Sequence, residues 1–170
     1  VTFGAKYMGA PHSAGFVCGT REMIEAVRAQ DFIGFETGEH TAFGRAMKVD
    51  RQEIVGVVAA LDQWLSMDHE ERLLELDAKV STIEGALASV TNVETRVVRT
   101  SAIWLVTVYV DFDPQALGKT APQIVTELFA GDPRIRLSAP EEGTLAMNPL
   151  TLRPGEDQVL ADHLKAALTP

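Results

Sequence analysis

The sequence is short of cysteine, of basic residues and of long apolar runs. Its 170 residues include a single cysteine, so no internal disulfide can form, which fits a reducing cytoplasm. Lysine and arginine number 15 against 24 acidic residues, giving a net charge of −9. Because phosphate backbones are bound by clustered basic side chains, this balance argues against a nucleic-acid partner. No apolar run approaches the length that crosses a bilayer, so no membrane partner is expected.

Two kinds of chemical site are also missing. No group of histidine, cysteine and carboxylate residues has the spacing of metal ligands, and no Walker-type phosphate loop is present, so no metal site is expected. Cys18 ends a short apolar segment, and this position predicts a buried, unreactive thiol. The apolar fraction of 46% is sufficient for a domain-sized core.

Helical patterns dominate the first half of the chain. Thr20 is placed to cap a short helix. The segment 31–45 lacks a regular spacing of apolar residues, which predicts an ordered loop. Asp50 and Glu53 form a capping-box pattern at the start of a second helix. A further start at Asp68 predicts a long amphipathic helix, which either crosses between two subdomains or forms a coiled-coil seam.

Past residue 90 the apolar period changes from helical to strand-like. The predicted elements are strands at 93–97 and 103–112, a helix at 120–130, strands at 134–137 and 144–147, and a helix at 156–168. With the long helix before them, these elements predict an α/β fold of the α+β kind, in which helices pack on one face of a small antiparallel or mixed sheet.

One lysine lies in a turn of small residues near the start of the sequence. The segment reads Phe3-Gly4-Ala5-Lys6-Tyr7-Met8-Gly9-Ala10-Pro11-His12-Ser13-Ala14-Gly15. Small residues let the backbone pack closely around Lys6 and predict a partly desolvated amine. Such an amine can attack an aldehyde, because the nucleophile is the neutral form. The alternative is a solvent-exposed lysine in a glycine-rich loop.

Three separated blocks resemble the pyridoxal-phosphate enzymes of fold type I, in the selenium-transferase-like branch that includes seryl-tRNA selenium transferase and the glucosaminate ammonia-lyases. The first block is the lysine segment with its Gly9-Ala10-Pro11-His12-Ser13-Ala14-Gly15 continuation. The second is Gly44-Arg45-Ala46-Met47-Lys48-Val49-Asp50, and the third is Asn148-Pro149-Leu150-Thr151-Leu152-Arg153. The blocks occur in the order of that branch and span nearly the whole chain.

The resemblance implies a division of the chain. Residues 1–48 would end the cofactor-binding large domain, 49–67 would form a connecting helix, and 68–170 would form the C-terminal small α+β domain. In fold type I enzymes the cofactor's phosphate cup and ring-nitrogen aspartate lie upstream of the lysine, and here only five residues precede Lys6. We therefore expect the C-terminal portion of a longer enzyme, inactive by itself.

The resemblance also implies roles for individual residues. Lys6 would form the internal aldimine with pyridoxal phosphate in the complete enzyme and move the proton on the substrate's α carbon. His12 either donates to the cofactor, shuttles protons or bonds a backbone carbonyl. Arg45 and Lys48 correspond to two arginines that recognise an anionic group, with a solvated basic pair beside the next helix as the alternative. Arg153 matches a small-domain arginine that grips the substrate carboxylate.

These assignments predict a lyase or transferase that acts on an amino acid or amino sugar acid. The expected partner is a small anionic substrate, and a homo-oligomer is implied by the resemblance alone. The alternative is a truncated, non-catalytic fragment that serves as a folded dimerisation or interaction module. The upstream gene sequence would discriminate between them, because only the enzyme requires an aspartate and a stacking histidine before Val1.

Overall fold

The computed structural model describes residues 1–38, 46, 48–100 and 105–169. The chain divides into two compact units, Val1–Asp68 and His69–Pro170. Within the described ranges, no helix combines the length and the apolar character that crossing a membrane requires.

The first unit contains a pair of short strands and three helices in its described part. The elements are β1 (Thr2–Gly4), β2 (Gly15–Val17), α1 (Arg21–Arg28), α2 (Phe32–Thr37) and α3 (Arg51–Ser66), with a 3-10 turn at Ala5–Met8. The cap of α1 is confirmed, because the Thr20 side chain accepts a hydrogen bond from the backbone N–H of Met23 at 3.4 Å.

Helix α2 shows that the loop expected at 31–45 was wrong in its first half. Asp31 Oδ1 accepts a hydrogen bond from the backbone N–H of Gly34 at 2.7 Å, so an aspartate cap starts a short helix where the glycines suggested a loop. Residues 39–45 of that segment lie outside the described residues.

Helix α3 begins where the sequence predicted, but its capping box does not form. Asp50 occupies the N-cap position with extended backbone, and its side chain makes no capping hydrogen bond. The helix buries Ala60 and leaves much of its apolar stripe exposed, since Ile54, Val58 and Leu65 are 49%, 63% and 77% accessible.

The second unit is a four-stranded antiparallel sheet with helices. Its elements are α4 (His69–Leu87), β3 (Val93–Thr100), β4 (Leu105–Phe112), α5 (Pro114–Leu117), α6 (Ala121–Ala130), β5 (Ser138–Glu141), β6 (Thr144–Met147) and α7 (Glu156–Leu168), with a 3-10 turn at Pro149–Thr151. The strand order is β3-β4-β6-β5, so β4 is central as predicted.

The core of this unit lies on one face of the sheet. Alternate residues of β4, namely Val106, Val108 and Val110, are buried, whereas the intervening side chains are only half-buried. The buried valines cluster with one apolar face from each of α4, α6 and α7; the helical members are Leu76, Val80, Ile83, Leu87, Ala121, Ile124, Leu128, Leu160, Leu164 and Leu168. The predicted α+β architecture, a small antiparallel sheet covered by helices on one face, is confirmed.

Two details of the prediction were wrong. Helix α4 lies wholly within the second unit, where it covers the sheet and does not cross between units. The strand expected at 134–137 begins instead at Ser138. The reason is that the backbone N–H of Ile135 bonds the carbonyl of Leu128 at 3.0 Å, which docks this segment on the end of α6.

Candidate functional site

The candidate lysine and histidine lie on one hairpin, residues 2–17, called here the lysine hairpin. Strands β1 and β2 pair in a register that places Phe3 opposite Phe16. The two rings stack with centroids 5.2 Å apart, which ties the strands together on one side. Lys6 and His12 lie in the connection between the strands.

The connection is fixed by its own backbone. Across the strand ends, the N–H of Ala5 donates to the carbonyl of Ala14 at 3.0 Å. Gly9 ends the 3-10 turn with a φ of 87°, and its N–H bonds the carbonyl of Lys6 at 3.2 Å. Because this left-handed backbone suits glycine, the small residues of the segment are explained by the turn they form.

Helix α3 approaches the lysine hairpin very closely. A Cβ atom at Gly56 would lie 2.6 Å from both Cγ and Cδ of Pro11. A side chain at this position would therefore push the turn that follows Lys6 away from the helix. The prediction missed Gly56, because an isolated glycine inside a helical pattern is tolerated and does not by itself indicate a close contact.

The Lys6 side chain is exposed in this structure. Ala5 is the only residue of the 3-10 turn that is buried, so the turn projects Lys6 outward. Its Nζ lies 5.4 Å from the ring centroid of Tyr7 and makes no hydrogen bond or ion pair with the described residues. The expected desolvation of the amine is not seen; the hairpin presents a free primary amine.

His12 lies at the corner of a turn. The N–H of Ala14 donates to the carbonyl of Pro11 at 3.1 Å, and His12 lies between these residues with an exposed side chain. Its ring bonds no backbone carbonyl among the described residues, so that alternative is not seen. The imidazole is free to meet a ligand.

Of the two candidate basic residues, Arg45 and Lys48, the structure describes only Lys48. Arg45 lies outside the described residues. Lys48 is exposed, and its Nζ lies 4.7 Å from the ring centroid of Phe32, a cation–π contact. Within the described part of the chain it forms no ion pair with Asp50 or Glu53.

Arg153 lies in the second unit, in an anchored segment. Its own backbone N–H donates to Glu156 Oε2 at 2.8 Å, and its side chain is exposed. The preceding carbonyl, that of Leu152, accepts a hydrogen bond from Lys79 Nζ at 2.6 Å. Arg153 and Glu156 are three residues apart and form a local pair, whereas Lys79 is 73 residues from its partner and gave no local signal.

The structure thus places Lys6, His12 and Lys48 in the first unit and Arg153 in the second. Cys18 is exposed, so the predicted burial of its thiol was wrong. Cys18 directly follows β2, which in the described part of the chain pairs with β1 alone.

The fold of the chain resembles part of a solved ammonia-lyase structure. The solved structure of D-glucosaminate-6-phosphate ammonia-lyase matches with a TM-score of 0.61 and 23% identity, over 96% of this chain and 42% of that chain. Because the identity is low, this likeness shows the fold alone.

Two curated enzymes are similar in sequence. The 5′-C-glycyluridine monooxygenase-decarboxylase of Streptomyces sp is 29% identical over 161 residues, covering 92% of this chain and 38% of the relative. The D-glucosaminate-6-phosphate ammonia lyase of Salmonella typhimurium (strain 14028s / SGSC 2262) is 26% identical over 167 residues, covering 95% and 41%. No family model matches the sequence. The chain therefore spans about two fifths of the length of its relatives, and its recognition as resembling the glucosaminate ammonia-lyase branch is confirmed.

Proposed function

We propose that the chain is the C-terminal portion of a pyridoxal-phosphate-dependent lyase that releases ammonia from an amino sugar acid, with Lys6 as the residue that carries the cofactor. The observation that carries this proposal is the free Lys6 amine on a fixed hairpin, in a chain similar to an ammonia lyase along 95% of its length. The activity belongs to the whole protein, of which this chain supplies one part.

Lys6 fits pyridoxal phosphate because it offers an exposed primary amine on a hydrogen-bonded turn. When bound, the cofactor supplies an electron sink for negative charge on the substrate's α carbon. Lys6 Nζ would hold the cofactor at its aldehyde carbon, and the same amine would carry the proton at the substrate's α carbon. His12 is the second proton carrier of the hairpin, because its ring is exposed beside the same turn.

The basic residues recognise the substrate's anionic groups. Lys48 holds its ammonium over the ring of Phe32, with no acidic partner to neutralise it among the described residues. Lys48 and Arg45 are proposed to bind an anionic substituent of the substrate, and Arg153 is proposed to bind a carboxylate through the planar fork of its guanidinium.

The names of the two relatives describe related substrates. Glucosaminate and glycyluridine are both amino acids whose carbon skeleton is joined to a hydroxylated sugar portion. A second candidate activity is therefore oxidative decarboxylation of such an amino acid, favoured by the 29% identity to the monooxygenase-decarboxylase. Both candidates need an amino acid substrate and differ in the group that leaves.

The test uses the protein produced from its complete reading frame and supplied with pyridoxal phosphate. D-glucosaminate and its 6-phosphate are offered separately, and released ammonia is measured with a coupled assay. We expect ammonia from one or both, abolished by Lys6→Ala and retained by Lys165→Ala, which changes an exposed lysine of α7.

Two results would contradict the proposal. Carbon dioxide from 5′-C-glycyluridine, with no ammonia from either sugar acid, would replace the lyase by the second candidate. Full ammonia release by the Lys6→Ala protein would remove Lys6 from the chemistry.

A further inference from the structure

The second unit contains a cavity that the proposed function does not use. It has a volume of about 260 Å³ and lies among the segment 133–137, the end of β6 and the first turns of α7. Sites for drug-sized ligands begin at roughly 300 Å³, so this cavity suits a smaller metabolite. Arg153 is not among the residues that line it.

The cavity has an apolar floor. Met147 and Leu160 are 6% and 5% exposed and lie at its base, and both belong to the core cluster of the second unit. Ile135 and Leu137 line it as well and pack partly against that core. A ligand that reaches the floor therefore gains free energy by burying an apolar group.

The rim carries two arginines without partners. Arg134 and Arg136 line the cavity and are exposed, and neither guanidinium forms an ion pair or hydrogen bond with the described residues. They lie two residues apart on the segment that lines the cavity. In a chain of net charge −9, two unpaired arginines at one cavity are a local positive site.

One acidic residue reduces the positive charge at the rim and so limits the negative charge of a ligand that binds there. Glu156 also lines the cavity, and its Oε2 is held by the backbone N–H of Arg153 at 2.8 Å. Two guanidinium groups and one carboxylate leave a single net positive charge at the rim. This balance favours a carboxylate over a phosphate dianion.

We propose that this cavity is a binding site for a small monocarboxylate with an apolar side group. The carboxylate lies between Arg134 and Arg136, and the apolar group rests on Met147 and Leu160. The inference stands on the second unit alone and does not depend on the role of Lys6.

The test observes the cavity floor directly. The full chain is labelled with ¹³C at its methionine methyl groups, and the Met147 signal is assigned with a Met147→Leu variant. Phenylacetate is titrated as the probe, with phenylacetamide as its neutral counterpart and inorganic phosphate as an anion without an apolar group. We expect saturable movement of the Met147 signal with phenylacetate, and binding at least about tenfold weaker for phenylacetamide because the charge-assisted contacts are lost.

Paired variants separate this site from general charge attraction. Arg134→Gln/Arg136→Gln should weaken phenylacetate binding at least about tenfold, whereas Arg21→Gln/Arg28→Gln, which removes the same charge from exposed positions on α1, should leave it unchanged. All four side chains are exposed, so neither double variant threatens folding. The proposal is overturned if phenylacetate does not move the Met147 signal, if phosphate moves it equally, or if the two double variants bind alike.

Discussion

At the residue scale, the position of Lys6 depends on two glycines. Gly9 supplies the left-handed backbone that ends the turn after the lysine, with a φ of 87°. Gly56 lets α3 approach within contact distance of Pro11. These glycines therefore shape the turn that carries Lys6 and its contact with α3. They do not bury the Lys6 amine.

Gly56→Ala tests this support. Because its Cβ would lie 2.6 Å from Pro11 ring atoms, the hairpin must move, and we expect the free energy of unfolding to fall by about 1–3 kcal/mol. Gly85→Ala is the matched control, since a Cβ at this position in α4 meets nothing within 4 Å and should stabilise the helix by about 0.5–1 kcal/mol. Urea unfolding of both variants measures the difference; equal responses would show that the close approach has no energetic consequence.

At the element scale, Lys79 joins α4 to the segment that carries Arg153. Its Nζ donates to the carbonyl of Leu152 at 2.6 Å in a partly buried setting. A hydrogen bond from a charged donor contributes about 1.5–3 kcal/mol, with the lower end appropriate at partial exposure. This contact orders the last turn before α7.

Lys79→Met should lower the free energy of unfolding by about 1–2 kcal/mol, because the Leu152 carbonyl loses its partner while the apolar stem is kept. Lys165→Met, at an exposed position of α7, should change it by less than about 0.5 kcal/mol. Chemical denaturation of the full chain compares the two. A Lys79→Met protein as stable as the control would mean that the segment is held without this bond.

Elements with a long regular period were predictable from the sequence, whereas the short ones were not. The helices α3, α4 and α7 and the central strand β4 follow from local apolar spacing. Helix α2 was not predicted, because the three glycines in its neighbourhood indicated a loop. The Asp31 cap is sufficient to start a helix there. The start of β5 was predicted wrongly, because it depends on the hydrogen bond from Ile135 to the carbonyl of Leu128 on another element.

The candidate site was predictable in its residue types and not in its surroundings. The motif around Lys6 predicts the lysine and His12 as site residues, and this remains a prediction, whereas the turn of small residues is seen in the structure. Whether a side chain on such a turn is covered depends on contacts with distant residues, so the exposure of Lys6 and of Cys18 could not be read from neighbours in the sequence.

At the scale of the whole molecule, the first unit exposes apolar surface. Val55 and Leu65 on α3 are 67% and 77% accessible. Exposed apolar side chains of this kind favour association. The isolated 170-residue chain should therefore self-associate at tens of micromolar protein.

Val55→Glu/Leu65→Glu should shift sedimentation-velocity profiles of the isolated chain toward the monomer, because charged side chains oppose burial at these two positions. Gln52→Glu, which adds one charge at an exposed position of the same helix, should not. A strictly monomeric original chain would contradict the expectation, as would an equal shift with Gln52→Glu.

The central claim is that Lys6 carries pyridoxal phosphate, and chemical mapping tests it most directly. The protein from its complete reading frame is loaded with pyridoxal phosphate and treated with borohydride, which fixes the cofactor on the lysine that holds it. The protein is then digested with trypsin, which does not cleave after a modified lysine. We predict one major adduct, in a peptide that reads through Lys6 and ends at Arg21. An adduct on Lys48 or another lysine with Lys6 unmodified would contradict the account.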